Sequence, residues 1–214
     1  MAARTHHREI EIKLRVPDIA ALSRRLKQLR AREITPCTYE SNTLYDTPKS
    51  DLRRRGQMIR IRIERPSSSR RGQPPEANAP AILTYKGPSR PRRGANPRRN
   101  FKVRNEEELS FDGADRLAAI LGALGLHPVF RYEKFRTTYV LPSIRGLKIE
   151  LDETPIGTYL ELEGPVGINR AARLLGYTKA DYLTETYGSL YLADCRRQGR
   201  KPDNMLFRTE KKLH

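Results

Sequence analysis

The chain has no tryptophan, and its 214 residues include only two cysteines and four histidines. Cys37 and Cys195 lie far apart and lack the spacing of metal ligands, so we expect free thiols in a reducing compartment. Without clusters of cysteine or histidine, a zinc site is not expected. Neither cysteine stands in a recognisable pattern with a histidine, which argues against a cysteine nucleophile.

Long apolar runs are also missing. No stretch approaches the roughly 20 apolar residues that a membrane-spanning helix needs. Residues 1–7 lack the apolar core of a secretory signal. We therefore expect a cytoplasmic protein with no membrane partner. The length suits one domain with a substantial core, here assigned to residues 1–195, followed by a basic tail at 196–214. Most such tails are solvated, although Met205, Leu206 and Phe207 can dock onto the body.

The glycine-rich motifs that bind phosphate through the backbone are absent. There is no Walker-type loop, no Gly-x-Gly-x-x-Gly and no Gly-x-Ser-x-Gly. The formal net charge of +17 nevertheless favours anionic partners, namely phosphorylated small molecules, polyphosphate or nucleic acid. Side chains must therefore hold any phosphate.

Two segments, at about 66–80 and 87–100, are crowded with Pro, Gly, Ser, Asn and Arg. Their composition predicts long, mobile loops between strands. A nucleic-acid arm remains an alternative for these arginines, but it is disfavoured because no aromatic residues are interleaved with them.

Charged and aliphatic residues alternate along the predicted strands. In the first strand, Glu9, Glu11 and Lys13 share one face, and the aliphatic residues at 10, 12 and 14 share the other. A half-exposed sheet explains one or two such strands well, and it explains their recurrence less well. A closed sheet with a wet, charged interior explains the recurrence better, because lone buried charges are costly. The alternation returns at 58–63, 83–86, 104–108, 148–152 and 159–163.

The two sets of charges suit different parts of one ligand. Carboxylates two residues apart on a strand suit hard cations such as Mg²⁺ or Mn²⁺. Lysine and arginine on the same faces suit phosphoryl oxygens. The candidate acids are Glu9, Glu11, Glu106, Glu108, Glu150, Asp152, Glu161 and Glu163, and the candidate cations are Lys13, Arg60, Arg62, Lys86, Arg104, Lys134 and Arg136.

Helical periodicity appears in four longer segments. Pro17 and Asp18 open a helix, and Asp112 to Leu124 form another that Gly125 ends. A third helix is predicted over 167–175. The fourth is predicted over 179–194, with an inner stripe that includes Tyr182, Leu183, Thr186, Tyr187, Leu190 and Tyr191.

The order of these motifs resembles that of the CYTH family, also called the triphosphate tunnel metalloenzymes. The resemblance covers roughly residues 8–163, and residues 182–187 are similar to the family's C-terminal helix. The matching motifs are Glu9-x-Glu11-x-Lys13, Tyr45-Asp46-Thr47-Pro48, Arg60-x-Arg62, Thr84-x-Lys86, Arg104-x-Glu106-x-Glu108, Lys134-x-Arg136, Asp152 and Glu161-x-Glu163.

The resemblance implies an α+β fold, in which an eight-stranded antiparallel β-barrel forms a tunnel with helices packed outside. It also implies a tunnel that binds a triphosphate with Mg²⁺ or Mn²⁺. By position, the metal-associated acids are Glu9, Glu11, Glu106, Glu108, Asp152, Glu161 and Glu163. The same correspondence assigns triphosphate binding to Lys13, Arg60, Arg62, Lys86, Arg104, Lys134 and Arg136. Lys13 or Lys134 is the candidate catalytic base. The tyrosine that aids such a lysine in some family members is not assigned, since neither Tyr39 nor Tyr45 matches its position.

The family's reactions leave the activity open. Its members include inorganic triphosphatases, thiamine-triphosphatases, class IV adenylate cyclases and RNA triphosphatases. The leading prediction is hydrolysis of tripolyphosphate, thiamine triphosphate or another organic triphosphate. One alternative is conversion of ATP to cyclic AMP and pyrophosphate, and another is a non-catalytic module that binds polyphosphate or RNA. Either a monomer or a homodimer is compatible with the sequence.

Overall fold

The computed structural model describes residues 7–67, 80–89 and 101–208. Most of the loops predicted at 66–80 and 87–100 lie outside the described residues. The strands are β1 (His7–Val16), β2 (Arg32–Asp46), β3 (Met58–Pro66), β4 (Pro80–Lys86), β5 (Lys102–Asp112), β6 (His127–Val140), β7 (Lys148–Thr154) and β8 (Gly157–Glu163). The helices are α1 (Ile19–Gln28), α2 (Asp51–Arg54), α3 (Ala114–Ala123), α4 (Ile168–Leu174) and α5 (Tyr187–Arg197).

The eight strands close into one barrel. Their spatial order is β1-β5-β4-β3-β2-β6-β7-β8, and every neighbouring pair is antiparallel. Closure leaves two environments for side chains, a bore and an outer surface, and successive residues of a strand alternate between them. The predicted α+β class and eight-stranded antiparallel barrel are therefore confirmed.

The outer aliphatic faces are buried beneath helices. Leu22 and Leu26 of α1 share one core cluster with Ile12 and Leu14 of β1, both of which are fully buried. Asp18 caps α1 by accepting a hydrogen bond from the Ala21 N–H at 2.9 Å. Each fully buried leucine contributes about 1.5–3 kcal/mol. This packing turns the aliphatic side of β1 outward and its charged side inward.

The fourth predicted helix is wrong over its first half. Residues 179–181 form a 3₁₀ turn, and the chain is then extended to residue 186. Leu183 pairs with Lys13 through two backbone hydrogen bonds of 2.8 and 2.9 Å. Thr186 caps α5 by accepting from the Ser189 N–H at 3.1 Å. Pairing with the edge of β1 therefore outweighs the helical periodicity of this segment.

Helix α5 covers one end of the bore with aromatic side chains. Tyr132 of β6 and Tyr159 of β8 occupy inward-facing positions. Their rings lie 6.1 and 5.7 Å from the ring of Tyr187, measured between centroids. Tyr191 lies one turn further along α5 and packs against Phe130 at 5.8 Å. The interior at this end is therefore aromatic.

A segment at residues 203–207, the C-terminal strap, lies against β6. The Met205 N–H donates to the carbonyl of Arg131 at 2.9 Å, and the Glu133 N–H donates to the carbonyl of Met205 at 3.0 Å. Met205 is 1% exposed, and the ring of Phe207 lies 5.1 Å from that of Phe135. On β6, the pairing with β7 begins at Phe135. The strap pairs with the residues of β6 that come before this point.

Two smaller expectations are also addressed by the structure. No helix in the described part of the chain is long and apolar enough to span a bilayer. Cys37 and Cys195 are both free thiols.

Candidate active site

The inward faces of the strands surround a cavity of about 490 Å³. Its wall carries lysine and arginine side chains interspersed with glutamates, so neither sign dominates. Asp152 lies behind this wall and is fully buried. The candidate residues that line the cavity are Glu9, Glu11, Lys13, Arg60, Arg62, Lys86, Arg104, Glu106, Glu108, Lys134, Arg136, Glu150, Glu161 and Glu163.

Lys13 lies between two carboxylates. Its Nζ is 2.9 Å from Glu161 Oε1 and 3.4 Å from Glu11 Oε1. Burial lowers the pKa of Lys13, but the charges of Glu11 and Glu161 outweigh burial and raise it above the usual value. Lys13 is therefore an ammonium ion in this arrangement. Its role as a base stays a prediction, and the two carboxylates disfavour the neutral amine that a base requires.

Asp152 organises the cations of β6. Arg136 forms a forked pair with it, with both N···O distances 2.6 Å, and Lys134 Nζ lies 2.9 Å from Oδ2. The Tyr187 hydroxyl also donates to Oδ2 at 2.6 Å. Arg136 additionally contacts Glu161 at 2.5 Å. Asp152 thus fixes the orientation of two phosphate-binding candidates, and its predicted contact with metal stays a prediction.

The carboxylates beside Lys134 also keep that lysine charged. Burial and the neighbouring Arg136 lower its pKa, whereas Asp152 and Glu40 raise it, and the net shift is upward. The ring of Tyr187 lies under both Lys134 and Lys13, at 5.4 and 5.2 Å from their ammonium nitrogens. Both candidate catalytic lysines therefore meet at one tyrosine.

A second ion-pair group lies across the cavity. Lys86 Nζ is 2.6 Å from Glu9 Oε1 and 3.0 Å from Glu106 Oε1. Nearby, Arg60 is held by Thr84 at 3.0 Å and by the Tyr132 hydroxyl at 3.2 Å. Burial and repulsion from Glu11 raise the pKa of Glu9, against the attraction of Lys86. A cation that approached Glu9 would reverse this effect.

Among the site residues that were not predicted from the sequence, four contact predicted ones: Lys102, Glu40, Tyr132 and Tyr187. Lys102 lines the cavity, with Nζ 2.5 Å from Glu11 Oε1, and burial together with the charge of Lys13 lowers its pKa to about 8. Glu40 is 2% exposed and lies 3.4 Å from Lys134. Tyr132 and Tyr187 complete the set. Strand alternation alone would have placed Lys102 on the same face as Arg104. Tyr187 was predicted in the inner stripe of the fourth helix and was interpreted as a core residue.

Tyr39 and Tyr45 are not in the cavity. The ring of Tyr39 packs against Phe135 at 5.4 Å, and Tyr45 belongs to the outer cluster beneath α3. Both tyrosines are at odd-numbered positions of β2. Glu40, at an even-numbered position of the same strand, points inward, so the tyrosines point outward. Neither tyrosine therefore lies beside the two lysines, whereas Tyr187 does.

The acids suit a divalent cation chemically, although lysines stand between them. Among the described residues, no three side chains of His, Cys, Asp or Glu come together closely enough to hold a metal ion. Instead, Lys13 bridges Glu11 and Glu161, and Lys86 bridges two further acids. Mg²⁺ is usually held by one or two carboxylates together with substrate phosphates. The pairs therefore fit a metal that arrives with a phosphate ligand.

Comparison with known proteins gives the same assignment. A family model for the CYTH domain matches residues 7–183, whereas no curated protein matches the sequence. A candidate adenylate cyclase from Vibrio parahaemolyticus superposes with a TM-score of 0.67 at 18% identity, covering 85% of this chain and 96% of that chain. The PH1819 protein of Pyrococcus horikoshii gives 0.65 at 23% identity, covering 87% and 99%.

A third similar structure is HpAC1 from Hippeastrum, described as a candidate adenylyl cyclase with a dominant triphosphatase activity. Its TM-score is 0.54 at 20% identity, with 91% of this chain and 97% of that chain covered. At such identities, these structures support the barrel fold alone. Because the family model spans most of the barrel and the bore carries its charged motifs, the chain belongs to the CYTH domain family.

Proposed function

We propose that this protein is a divalent-metal-dependent phosphohydrolase that cleaves an inorganic or organic triphosphate inside the barrel. The observation that carries this proposal is one cavity in which buried lysines and arginines are paired with buried glutamates. A polyanion alone would use only the cations, and a metal alone would use only the acids. A metal–triphosphate complex uses both.

The energetics of the ion pairs explain why metal and substrate bind together. Removing one partner of a buried ion pair costs about 3–5 kcal/mol, because the other charge is left uncompensated. A phosphate that drew Lys13 away from Glu11 and Glu161 would incur this cost. A divalent cation that bound the released carboxylates would offset it. Each ligand therefore strengthens binding of the other, as linkage requires.

The chain's own residues then supply orientation and charge. Among the acids that face the cavity, Glu9, Glu11, Glu106, Glu161 and Glu163 would hold the metal. When bound, a divalent metal neutralises charge on the phosphoryl oxygens. The phosphate-binding residues are Lys13, Arg60, Arg62, Lys86, Arg104, Lys134 and Arg136, with Glu108 and Thr84 orienting Arg60.

Hydrolysis requires attack by water on the terminal phosphorus. A bond forms between the water oxygen and phosphorus, and the bridging P–O bond breaks with its electron pair on the leaving diphosphate or its ester. Arg136 and Lys134 are held rigidly by Asp152, so they can stabilise the developing charge without reorganising. A base role for Lys13 or Lys134 requires that phosphate binding first separate the lysine from its carboxylates.

Product analysis tests this proposal directly. Purified protein is incubated with Mg²⁺ or Mn²⁺ and with tripolyphosphate, thiamine triphosphate or ATP. Orthophosphate release supports hydrolysis, whereas cyclic AMP with pyrophosphate from ATP would establish the cyclase alternative. Salt-sensitive binding without turnover would instead identify a polyphosphate- or RNA-binding module.

A further inference from the structure

Helices α1 and α4 form one continuous surface on the outside of the barrel. Both belong to the core cluster that covers β1, β7 and β8, α1 through Leu22 and Leu26 and α4 through Ala171. Where the two helices meet, Arg25 Nε donates to the carbonyl of Leu174, the last residue of α4, at 2.6 Å. Packing and this hydrogen bond therefore hold the helices together.

The outward side of this surface is basic. Because an α-helix has 3.6 residues per turn, burial of one side of a helix fixes which residues face the solvent. Arg24 and Lys27 of α1 are exposed, and so are Arg170 and Arg173 of α4. Arg25, between the two helices, is exposed as well. We call these five residues the basic face.

No acidic side chain balances the basic face. Helices α1 and α4 contain neither Asp nor Glu, whereas α2, α3 and α5 each contain an aspartate. In α2 and α5 that aspartate pairs with an arginine of the same helix, as Asp51 does with Arg54. Among the residues that the structure describes, none forms an ion pair with the basic face. Its charges are therefore available to an anion from outside the chain.

The sequence keeps these cations although they lower stability. Arg24 and Lys27 are three residues apart on α1, and Arg170 and Arg173 have the same spacing on α4. Like charges at such neighbouring positions of a helix repel each other. Arg30, two residues beyond α1, has a left-handed backbone with a φ of 54°, which glycine adopts without strain and arginine does not. A bound polyanion would relieve the repulsion.

The composition of the basic face favours phosphate groups whose bases are already paired. Four of its five cations are arginines, which form forked hydrogen bonds with phosphate oxygens. Neither helix contains an aromatic residue, so the face offers no surface on which unpaired bases could stack. The apolar sides of both helices are buried against the barrel, so they cannot insert into a bilayer. A duplex, with its high density of phosphate charge, fits these features.

We propose that the basic face binds the phosphate backbone of duplex nucleic acid, independently of base sequence. None of its residues lines the charged cavity, so the inference does not depend on the proposed function. If each of the five cations contacts one phosphate, the logarithm of the binding constant falls with the logarithm of the salt concentration with a slope of about −4.5. DNA and RNA duplexes share this chemistry, and the experiment separates them.

Removal of two charges from the basic face tests the proposal. Arg24→Gln/Arg173→Gln removes one cation from each helix. Arg53→Gln/Arg55→Gln is the matched control, because it removes two exposed arginines between β2 and β3, which lie opposite β1 and β8 in the strand order. Fluorescence anisotropy measures binding to labelled DNA and RNA duplexes of about 20 base pairs with 5′-hydroxyl ends, from about 50 to 200 mM KCl.

We expect the wild-type protein to bind a duplex with a Kd below about 10 μM at the lowest salt. Arg24→Gln/Arg173→Gln should weaken binding at least about tenfold and make the salt slope shallower by about 2. Arg53→Gln/Arg55→Gln should stay within about twofold of wild type. Both variants should keep the wild-type circular dichroism spectrum and the wild-type rate of tripolyphosphate hydrolysis. No duplex binding by the wild type, or an equal loss in both variants, would overturn the proposal.

Further ligands identify the partner. Tighter binding of the RNA or of the DNA duplex identifies the source of the backbone, and either result supports the proposal. A difference above about tenfold between two duplexes of unrelated sequence would show that bases are read, and would contradict it. Vesicles of phosphatidylserine and phosphatidylcholine represent an anionic membrane. If Arg24→Gln/Arg173→Gln abolishes vesicle binding but leaves duplex binding unchanged, the basic face binds lipid and the proposal is wrong.

Discussion

Replacing Asp152 with asparagine should destabilise the fold and abolish turnover. Asp152 is fully buried and accepts from Lys134, Arg136 and the Tyr187 hydroxyl. Loss of its charge leaves two buried cations with less compensation, at a typical cost of about 3–5 kcal/mol. Asparagine keeps one acceptor oxygen, and Glu40 also contacts both cations. We therefore expect the lower end of the range, about 3 kcal/mol.

Urea unfolding followed by circular dichroism measures this change. With a slope of about 2–3 kcal/mol per molar urea, the midpoint of Asp152→Asn should fall by about 1–1.5 M. Tyr187→Phe removes only one hydrogen bond to the same carboxylate and should cost about 1 kcal/mol. Glu153→Gln, on the exposed face of the same strand, should change stability by less than about 0.5 kcal/mol. A loss below about 1 kcal/mol for Asp152→Asn would refute the reasoning.

Three further predictions follow from contacts elsewhere. Glu161→Gln should lower metal-dependent turnover about 100-fold or more while polyphosphate binding persists, as measured by phosphate release and calorimetry. Met205→Ala, which removes the buried side chain of the strap, should lower the free energy of unfolding by about 2–4 kcal/mol in urea titrations. Burial raises the pKa of Asp194, but hydrogen bonds from Arg197 and neighbouring donors outweigh it and lower the pKa. A lowered carboxylate pKa stabilises the fold above the unfolded value near 4 and loses that effect as the pH falls. Asp194→Asn should therefore be less stable than wild type at pH 7, and the difference in melting temperature should shrink below pH 4.

The charged bore was predictable because strand side chains alternate with an exact period of two. Once Ile12 and Leu14 are assigned to the core, Glu11 and Lys13 must point the other way. The same rule predicts that Arg60, Lys86 and most of the other predicted residues point into the bore. Alternation did not predict closure into a barrel, because a half-exposed sheet has the same alternation. The prediction of a barrel came from the order of the family motifs.

The parts that were not predictable depend on contacts between distant segments. Leu183 pairs with Lys13. The local periodicity of residues 179–194 gives no indication of this pairing. Once this pairing is known, Thr186 becomes a helix cap and Tyr187 faces the lysines. Lys102 was missed for a different reason, because the strand was read only from residue 104 onward.

The most direct test of the account is phosphate release from tripolyphosphate by the wild-type protein, with Mn²⁺ and then with excess EDTA. The buried ion pairs predict that orthophosphate appears only when metal is present, and that EDTA also weakens tripolyphosphate binding. Tight tripolyphosphate binding that EDTA leaves unchanged, without orthophosphate under either condition, would contradict the claim that metal and triphosphate share the charged cavity.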